Sequence, residues 1–198
     1  MKAGYNAIAR KYTALRSEDT EDIRLLEELV ERLPRGAKVL DAGCGSGVPV
    51  TRYLEQFFDV TGVDFAEEQI RRARRLVPEA TFLCGDVTDL AFADETFDAI
   101  CSYYAIIHIP RGEHRGLLQN FYRMLRPQGL ALLLMGTTDS PEDIADYHGV
   151  QMFWSHYDAE TNRRMLEECG FAVLWVTLVE DPVDPGGEKG LFVLGQRR

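Results

Sequence analysis

Several familiar functional signatures are missing from this chain. Its four cysteines, Cys44, Cys84, Cys101 and Cys169, form no C-x-x-C pair and no metal-finger spacing. A disulfide framework and a zinc finger are therefore not expected. The four histidines include no H-E-x-x-H, and no D-x-x-D-N style cluster occurs, so no divalent ion is expected. No stretch approaches the ~20 apolar residues of a bilayer span. The opening MKAGYNAIARKY lacks the apolar core and cleavage site of a secretory signal. These absences lead us to expect a cytoplasmic protein without a membrane partner. Positive charge is also scarce: 22 Lys and Arg stand against 32 Asp and Glu, a formal net charge of −10. Such a chain repels phosphate backbones, so nucleic acid is not an expected partner. The densest basic run, IRRARRL at 70–76, reads as the solvated side of an amphipathic helix.

What is present is an alternation of strands and helices. YNAIARKY places Tyr5, Ile8, Ala9 and Tyr12 on one helical face. DTEDIRLLEELVERL (19–33) repeats the pattern and ends at Pro34 and Gly36. AKVLDA, DVTGVD, ATFLCG, FDAICSYY and GLALLLMG read as five strands. VPVTRYLEQF, AEEQIRRARRLV and RGEHRGLLQNFYRML read as the helices between them. DAETNRRMLEECG is a helix with Asp158 as its N-cap and Gly170 closing it. FAVLWVTLV and KGLFVLGQ, joined by the turn-rich DPVDPGGE, finish as an antiparallel pair. Strands separated by helices imply right-handed crossovers and a mostly parallel sheet covered on both faces. The expectation is an α/β fold and a single domain over residues 1–198.

Such sheets bind ligands at the carboxyl ends of their strands, where the strand order reverses. VLDAGCGSGVPV (39–50) runs an apolar strand into Gly43, Gly45 and Gly47. Alone, this loop suits a dinucleotide, an S-adenosyl sulfonium, or simply a tight turn. Three carboxylates also stand at strand ends: Asp41, Asp64 and Asp86. The glycines allow positive φ and close backbone approach, and the helix that follows points free N–H groups at a ligand. Asp64 lies about 20 residues beyond the loop, where a carboxylate accepts two ribose hydroxyls. Asp86 suits an adenine amine, with the Val87 N–H beside it, and Asp41 suits a ligand ammonium. The dinucleotide pattern G-x-G-x-x-G would need a third glycine where Val48 stands. A pyrophosphate would also be opposed by Asp41, whereas a sulfonium with an ammonium group tolerates neighbouring acids.

VLDAGCGSG, VTGVDFAEEQI, FLCGDVTDLAF, FDAICSYYAIIHI and MLRPQGLALLLMG, taken in order over roughly residues 37–136, resemble class I S-adenosylmethionine-dependent methyltransferases of the small-molecule type. The resemblance implies a three-layer sandwich on a seven-stranded sheet of order 3-2-1-4-5-7-6, the last strand antiparallel. It implies S-adenosylmethionine as cofactor, with S-adenosylhomocysteine as product. Implied cofactor contacts are Asp41, Gly43, Cys44, Gly45, Asp64, Phe65, Asp86, Val87, Ser102 and Tyr103. Residues 1–35 become an N-terminal helical lid, with Tyr5 and Tyr12 as lid residues over the cofactor; ordinary core packing is the other reading of both tyrosines.

The acceptor follows by elimination. SYYA replaces the (D/N)-P-P-(Y/F) of nucleic-acid amino methylation, Cys101 follows Ile100 rather than proline, and IIHIPRGEH offers only Glu113 where a double-Glu loop would be needed. What remains is a small-molecule acceptor, methylated by in-line displacement. Its pocket should draw on YYAIIHI and on residues 137–158, an acceptor-side insertion in which MFWSHY places aromatic bodies beside polar groups; a plug under the following helix is the alternative. Where a base is needed, His156 and His108 are the catalytic candidates, since imidazole titrates near neutrality. The rival readings are a non-catalytic S-adenosylmethionine-binding protein and an NAD-dependent oxidoreductase. A monomer or homodimer is expected.

Overall fold

The computed structural model describes residues 19–147, 149–184 and 186–198. Seven strands form one sheet, in the order β3-β2-β1-β4-β5-β9-β8. They are β1 (Lys38–Ala42), β2 (Asp59–Asp64), β3 (Thr81–Cys84), β4 (Phe97–Ser102), β5 (Leu125–Met135), β8 (Phe171–Val179) and β9 (Gly190–Arg197). The first five run parallel, and β9 is antiparallel to both β5 and β8. The labels differ from the expected 3-2-1-4-5-7-6 because an inserted hairpin takes two of them. That hairpin, β6 (Ser140–Tyr147) with β7 (Val150–His156), forms its own two-stranded sheet. The acceptor-side insertion is thus mostly hairpin, not a loop.

Alternation along the strands builds two cores. In β5, Ala131, Leu133 and Met135 face one side, while Leu130, Leu132 and Leu134 face the other. The first face is covered by α5 (Arg111–Met124) and α6 (Ala159–Glu168). On α5 the buried residues His114, Leu117, Leu118, Phe121 and Met124 follow a helical period. The second face is covered by α1 (Glu21–Arg24), α2 (Glu27–Arg32) and α3 (Val50–Leu54). The last helix, α4 (Glu67–Leu76), packs against β2 and β3.

One continuous helix was expected over 19–33, and the structure divides it. The Leu26, Glu28 and Leu29 amides each bond to the carbonyl three residues back, at 3.0, 3.2 and 3.0 Å. This tighter winding puts Ile23, Leu26 and Leu29, spaced by three, on one buried face. Strand order reverses between β1 and β4, since the chain moves outward from β1 through β2 to β3 and then returns to β4. That reversal opens the crevice at the carboxyl ends of the parallel strands.

Candidate active site

A cavity of about 260 Å³ occupies that crevice. It is lined by the glycine loop, by Asp41, Asp64, Phe65, Asp86 and Val87, and by Tyr103, Tyr104 and His108 beyond β4. The loop geometry follows from its glycines: Gly43, Gly45 and Gly47 have φ of +86°, +54° and +75°. A Cβ on Gly43 would lie 2.2 Å from the Cβ of Ala105, so only glycine lets the loop pass beneath the turn after β4.

The three acids are held differently. Asp64 is buried and accepts from the Gly45 amide at 3.0 Å on Oδ2 and from the Ala66 amide at 2.8 Å on Oδ1. Each carboxylate oxygen keeps a second lone pair for a ligand hydroxyl. Burial raises its pKa to about 6, against the pull of the two amides. Asp41 is fully enclosed and accepts from the Thr51 hydroxyl at 2.5 Å. Burial raises its pKa to about 7, and the nearby Asp64 adds to the rise. Asp86 is exposed; its Oδ1 accepts from the Thr88 amide and hydroxyl at 2.9 and 2.8 Å, fixing the turn that begins at Val87.

Gln69, on α4, was not singled out from the sequence. It is 1% exposed, lines the cavity, and its Oε1 has no hydrogen-bond partner. The signal was available: Gln69 is the polar member of a stripe otherwise made of Ala66, Ile70 and Ala73. Tyr104, with φ of +54°, and Ala105 belong to YYAIIHI, a segment expected to build the acceptor pocket. The Tyr103 hydroxyl donates to the Asp22 carbonyl at 3.0 Å, and that of Tyr104 donates to the Asp22 carboxylate at 3.3 Å. These bonds pin the end of β4 to α1.

The sequence candidates do not all share this cavity. Asp41, Gly43, Cys44, Gly45, Asp64, Phe65, Asp86, Val87, Tyr103 and His108 line it. Ser102 is not among its lining; its hydroxyl is buried and donates to the Ala42 carbonyl at 2.8 Å, tying β4 to β1. His156 lines a second cavity, of about 400 Å³, which shares Tyr104 with the lining of the first. Tyr5 and Tyr12 lie outside the described residues. His108 is half-buried, with Nδ1 2.7 Å from the Phe153 carbonyl. Burial lowers its pKa to about 4 despite that bond, so it is neutral at physiological pH. His156 is 7% exposed, with Nδ1 2.9 Å from the Thr138 carbonyl. Its ring rests on Gly136, where a Cβ would come within 2.1 Å of Nδ1. Among the described residues, no group of three or more His, Cys, Asp or Glu is placed to hold a metal ion, and no helix is long and apolar enough to cross a membrane.

Comparison with known proteins places the chain in a family. A family described as a methyltransferase domain matches residues 39–129. An O-methyltransferase of Aspergillus sclerotiorum, resE, is 30% identical over 185 residues, covering 85% of this chain and 69% of the relative. The chain belongs to the class I S-adenosylmethionine-dependent methyltransferases. A second O-methyltransferase, rstn1 of Aspergillus nomiae, is 30% identical over 83% of this chain and 79% of its own length. A solved methyltransferase from Methanosarcina mazei superposes with a TM-score of 0.76 at 19% identity, covering 86% of this chain and 96% of that one. The 1,6-didemethyltoxoflavin-N1-methyltransferase of Burkholderia thailandensis, solved with S-adenosylhomocysteine, gives 0.70 at 21% identity, covering 100% and 90%.

The cavity of this methyltransferase fits its cofactor. The donor and acceptor set is right: a carboxylate with spare lone pairs at the end of β2, an unpartnered buried Gln69 oxygen, and a backbone cradle at Gly43 that a side chain would fill.

Proposed function

We propose that this methyltransferase acts on a small or medium-sized metabolite, whose reacting atom is presented at Tyr104. The observation that carries the reading is that two cavities share that one residue in their linings. One is lined by the glycine loop and the strand-end acids, the other by the hairpin. Two named relatives of this chain are O-methyltransferases, and the Burkholderia enzyme was solved with a small acceptor.

Within this reading, Asp64 holds the ribose hydroxyls, Asp86 and the Val87 amide hold the adenine edge, and Asp41 holds the amino-acid end. Cys44 and Phe65 pack against the cofactor, and Tyr103 closes the strand-four side. Bound S-adenosylmethionine supplies a methyl group on a positively charged sulfur. Alignment of acceptor and methyl in a dry site accounts for much of the acceleration of an in-line transfer. His156 and His108 are the candidates for taking a proton from the acceptor. His156 stands on the acceptor side and His108 on the cofactor side of Tyr104. Residues 1–35 act as the lid and 137–158 as the acceptor-side wall.

The test is formation of S-adenosylhomocysteine against a panel of phenols, amines, thiols and carboxylates. Product from a low-molecular-mass acceptor supports the reading. No product across the panel, with cofactor still bound, favours a non-catalytic binding protein. Label appearing in protein or RNA from an extract would move the acceptor to a macromolecule.

A further inference from the structure

The second cavity has a charge that the methyl-transfer reading does not explain. Its floor is the end of β5, Leu134 to Gly136, and one wall is the hairpin, with Trp154 and His156 turned to it. Five carboxylates line it: Asp143 and Asp146 from β6, and Asp181, Asp184 and Glu188 from the segment leading into β9. No ion pair involves Asp143, Asp146, Asp184 or Glu188 among the described residues. Asp146 accepts from the Gly149 amide at 3.2 Å, at the hairpin turn. Glu188 is bound by the amides and hydroxyls of Thr137 and Thr138, which are neutral groups. Asp181, which also faces the cavity, accepts from the Val183 amide at 2.8 Å. The one lining lysine, Lys189, has its ammonium 4.0 Å from Glu180.

His156 is the second, independent observation. It is 7% exposed, and Nδ1 is engaged by the Thr138 carbonyl at 2.9 Å. A carbonyl partner requires the proton on Nδ1, which makes Nε2 an acceptor in the neutral ring. Nε2 has no partner among the described residues, though His156 lines the cavity. A buried imidazole with one acceptor open to a cavity asks for a ligand N–H or O–H.

We infer that this cavity receives the acceptor, and that the acceptor is a cation, a basic amine carried on an apolar or aromatic body. Carboxylates around a concave wall focus a negative potential that concentrates cations and repels anions. Trp154 and Tyr104 place aromatic rings in the lining, the residue type that attracts an ammonium group and packs its carbon body. Nε2 of His156 takes a hydrogen bond from the ligand. The word acceptor rests on the proposed methyl transfer; the cation selectivity does not.

Calorimetry on the full chain with three probes of one size tests this: 2-phenylethylamine, 2-phenylethanol and phenylacetate, each with and without saturating S-adenosylhomocysteine. The amine is expected to bind about tenfold or more tighter than the alcohol at low salt, with no binding of phenylacetate. Added salt and the double variant Asp143→Asn/Asp184→Asn, both at exposed positions, should shrink that preference while leaving S-adenosylhomocysteine affinity unchanged. Equal binding of amine and alcohol, tighter binding of phenylacetate, or no binding of the amine overturns the inference. Amine selectivity retained in full by the double variant overturns it too. Failure of wild-type protein to bind S-adenosylhomocysteine would instead strike the methyl-donor reading, since amine selectivity is read separately in the free protein.

Discussion

The Gly45 amide donates to Asp64 Oδ2 across 3.0 Å, joining the glycine loop after β1 to the carboxyl end of β2. The Ala66 amide holds the other oxygen at 2.8 Å, so the carboxylate is oriented before any ligand arrives. Substituting Asp64→Ala should weaken S-adenosylhomocysteine binding by about 1.5–3 kcal/mol for each charged hydrogen bond lost. Asp64→Asn should recover part of this, because one oxygen acceptor remains. Titration calorimetry of both variants checks the order, and unchanged affinity in Asp64→Ala would place the ribose elsewhere.

The same burial that orients Asp64 also makes the empty site sensitive to pH. Asp41 and Asp64 have pKa values raised to about 7 and about 6, above the ordinary carboxylate range. A raised carboxylate pKa means the folded protein holds its proton more tightly than the unfolded chain does. The contribution of these two groups to stability is therefore complete below about pH 4 and lost as pH rises through about 6 to 7. Asp41→Asn should flatten that part of the profile and raise the melting temperature of the ligand-free protein at pH 8. Thermal melts of both proteins across pH 5–8 decide this; parallel profiles would mean that Asp41 is ionised without penalty.

Gly43→Ala meets two separate obstacles. Its φ of +86° costs an L-residue about 1–2 kcal/mol. Overpacking against Ala105, 2.2 Å away, adds about 1–3 kcal/mol. Urea unfolding should show both losses in the single variant. The double variant Gly43→Ala/Ala105→Gly should recover the contact but not the backbone cost. Full additivity of the two substitutions would show that the loop can shift away from the turn.

The histidines are separable by position, and the His108 reading also by pH. His156→Ala should lower turnover of an acceptor found in the panel and leave S-adenosylhomocysteine affinity intact. If His108 were the base, activity would hold down to about pH 5, because burial has already lowered its pKa to about 4. A turnover profile that does not hold down to that pH excludes His108 as the base, and a slow His156→Ala variant then points to His156. Full turnover in His156→Ala reduces its ring to packing against Gly136.

Much of the first cavity's lining was legible because its chemistry is local. Asp41, Asp64 and Asp86 each follow an apolar run, and a parallel strand delivers its last residue to the carboxyl edge of the sheet. The hairpin at 140–156 was less legible. Its strand SPEDIADY carries few apolar residues, and its largest, Ile144, is 59% exposed. The hairpin is held from outside its own sequence: the Phe153 carbonyl meets His108, and the Ser155 hydroxyl receives the Arg111 amide at 3.0 Å. The partner of the Ser102 hydroxyl was not legible either, because it is the Ala42 carbonyl of the neighbouring strand, sixty residues away.

Sequence by itself determined the layered α/β architecture, the glycine loop and the carboxylates that suit an adenosyl sulfonium. These depend on periodicity and on short-range backbone geometry. Tertiary structure alone decided that the two candidate histidines face different cavities and that Gln69 joins the first. It alone gathered Asp143, Asp146, Asp184 and Glu188 around the second. Those four come from two segments about forty residues apart that meet only when β9 inserts between β5 and β8. Charge accumulates there through long-range pairing, which no local pattern of residues encodes.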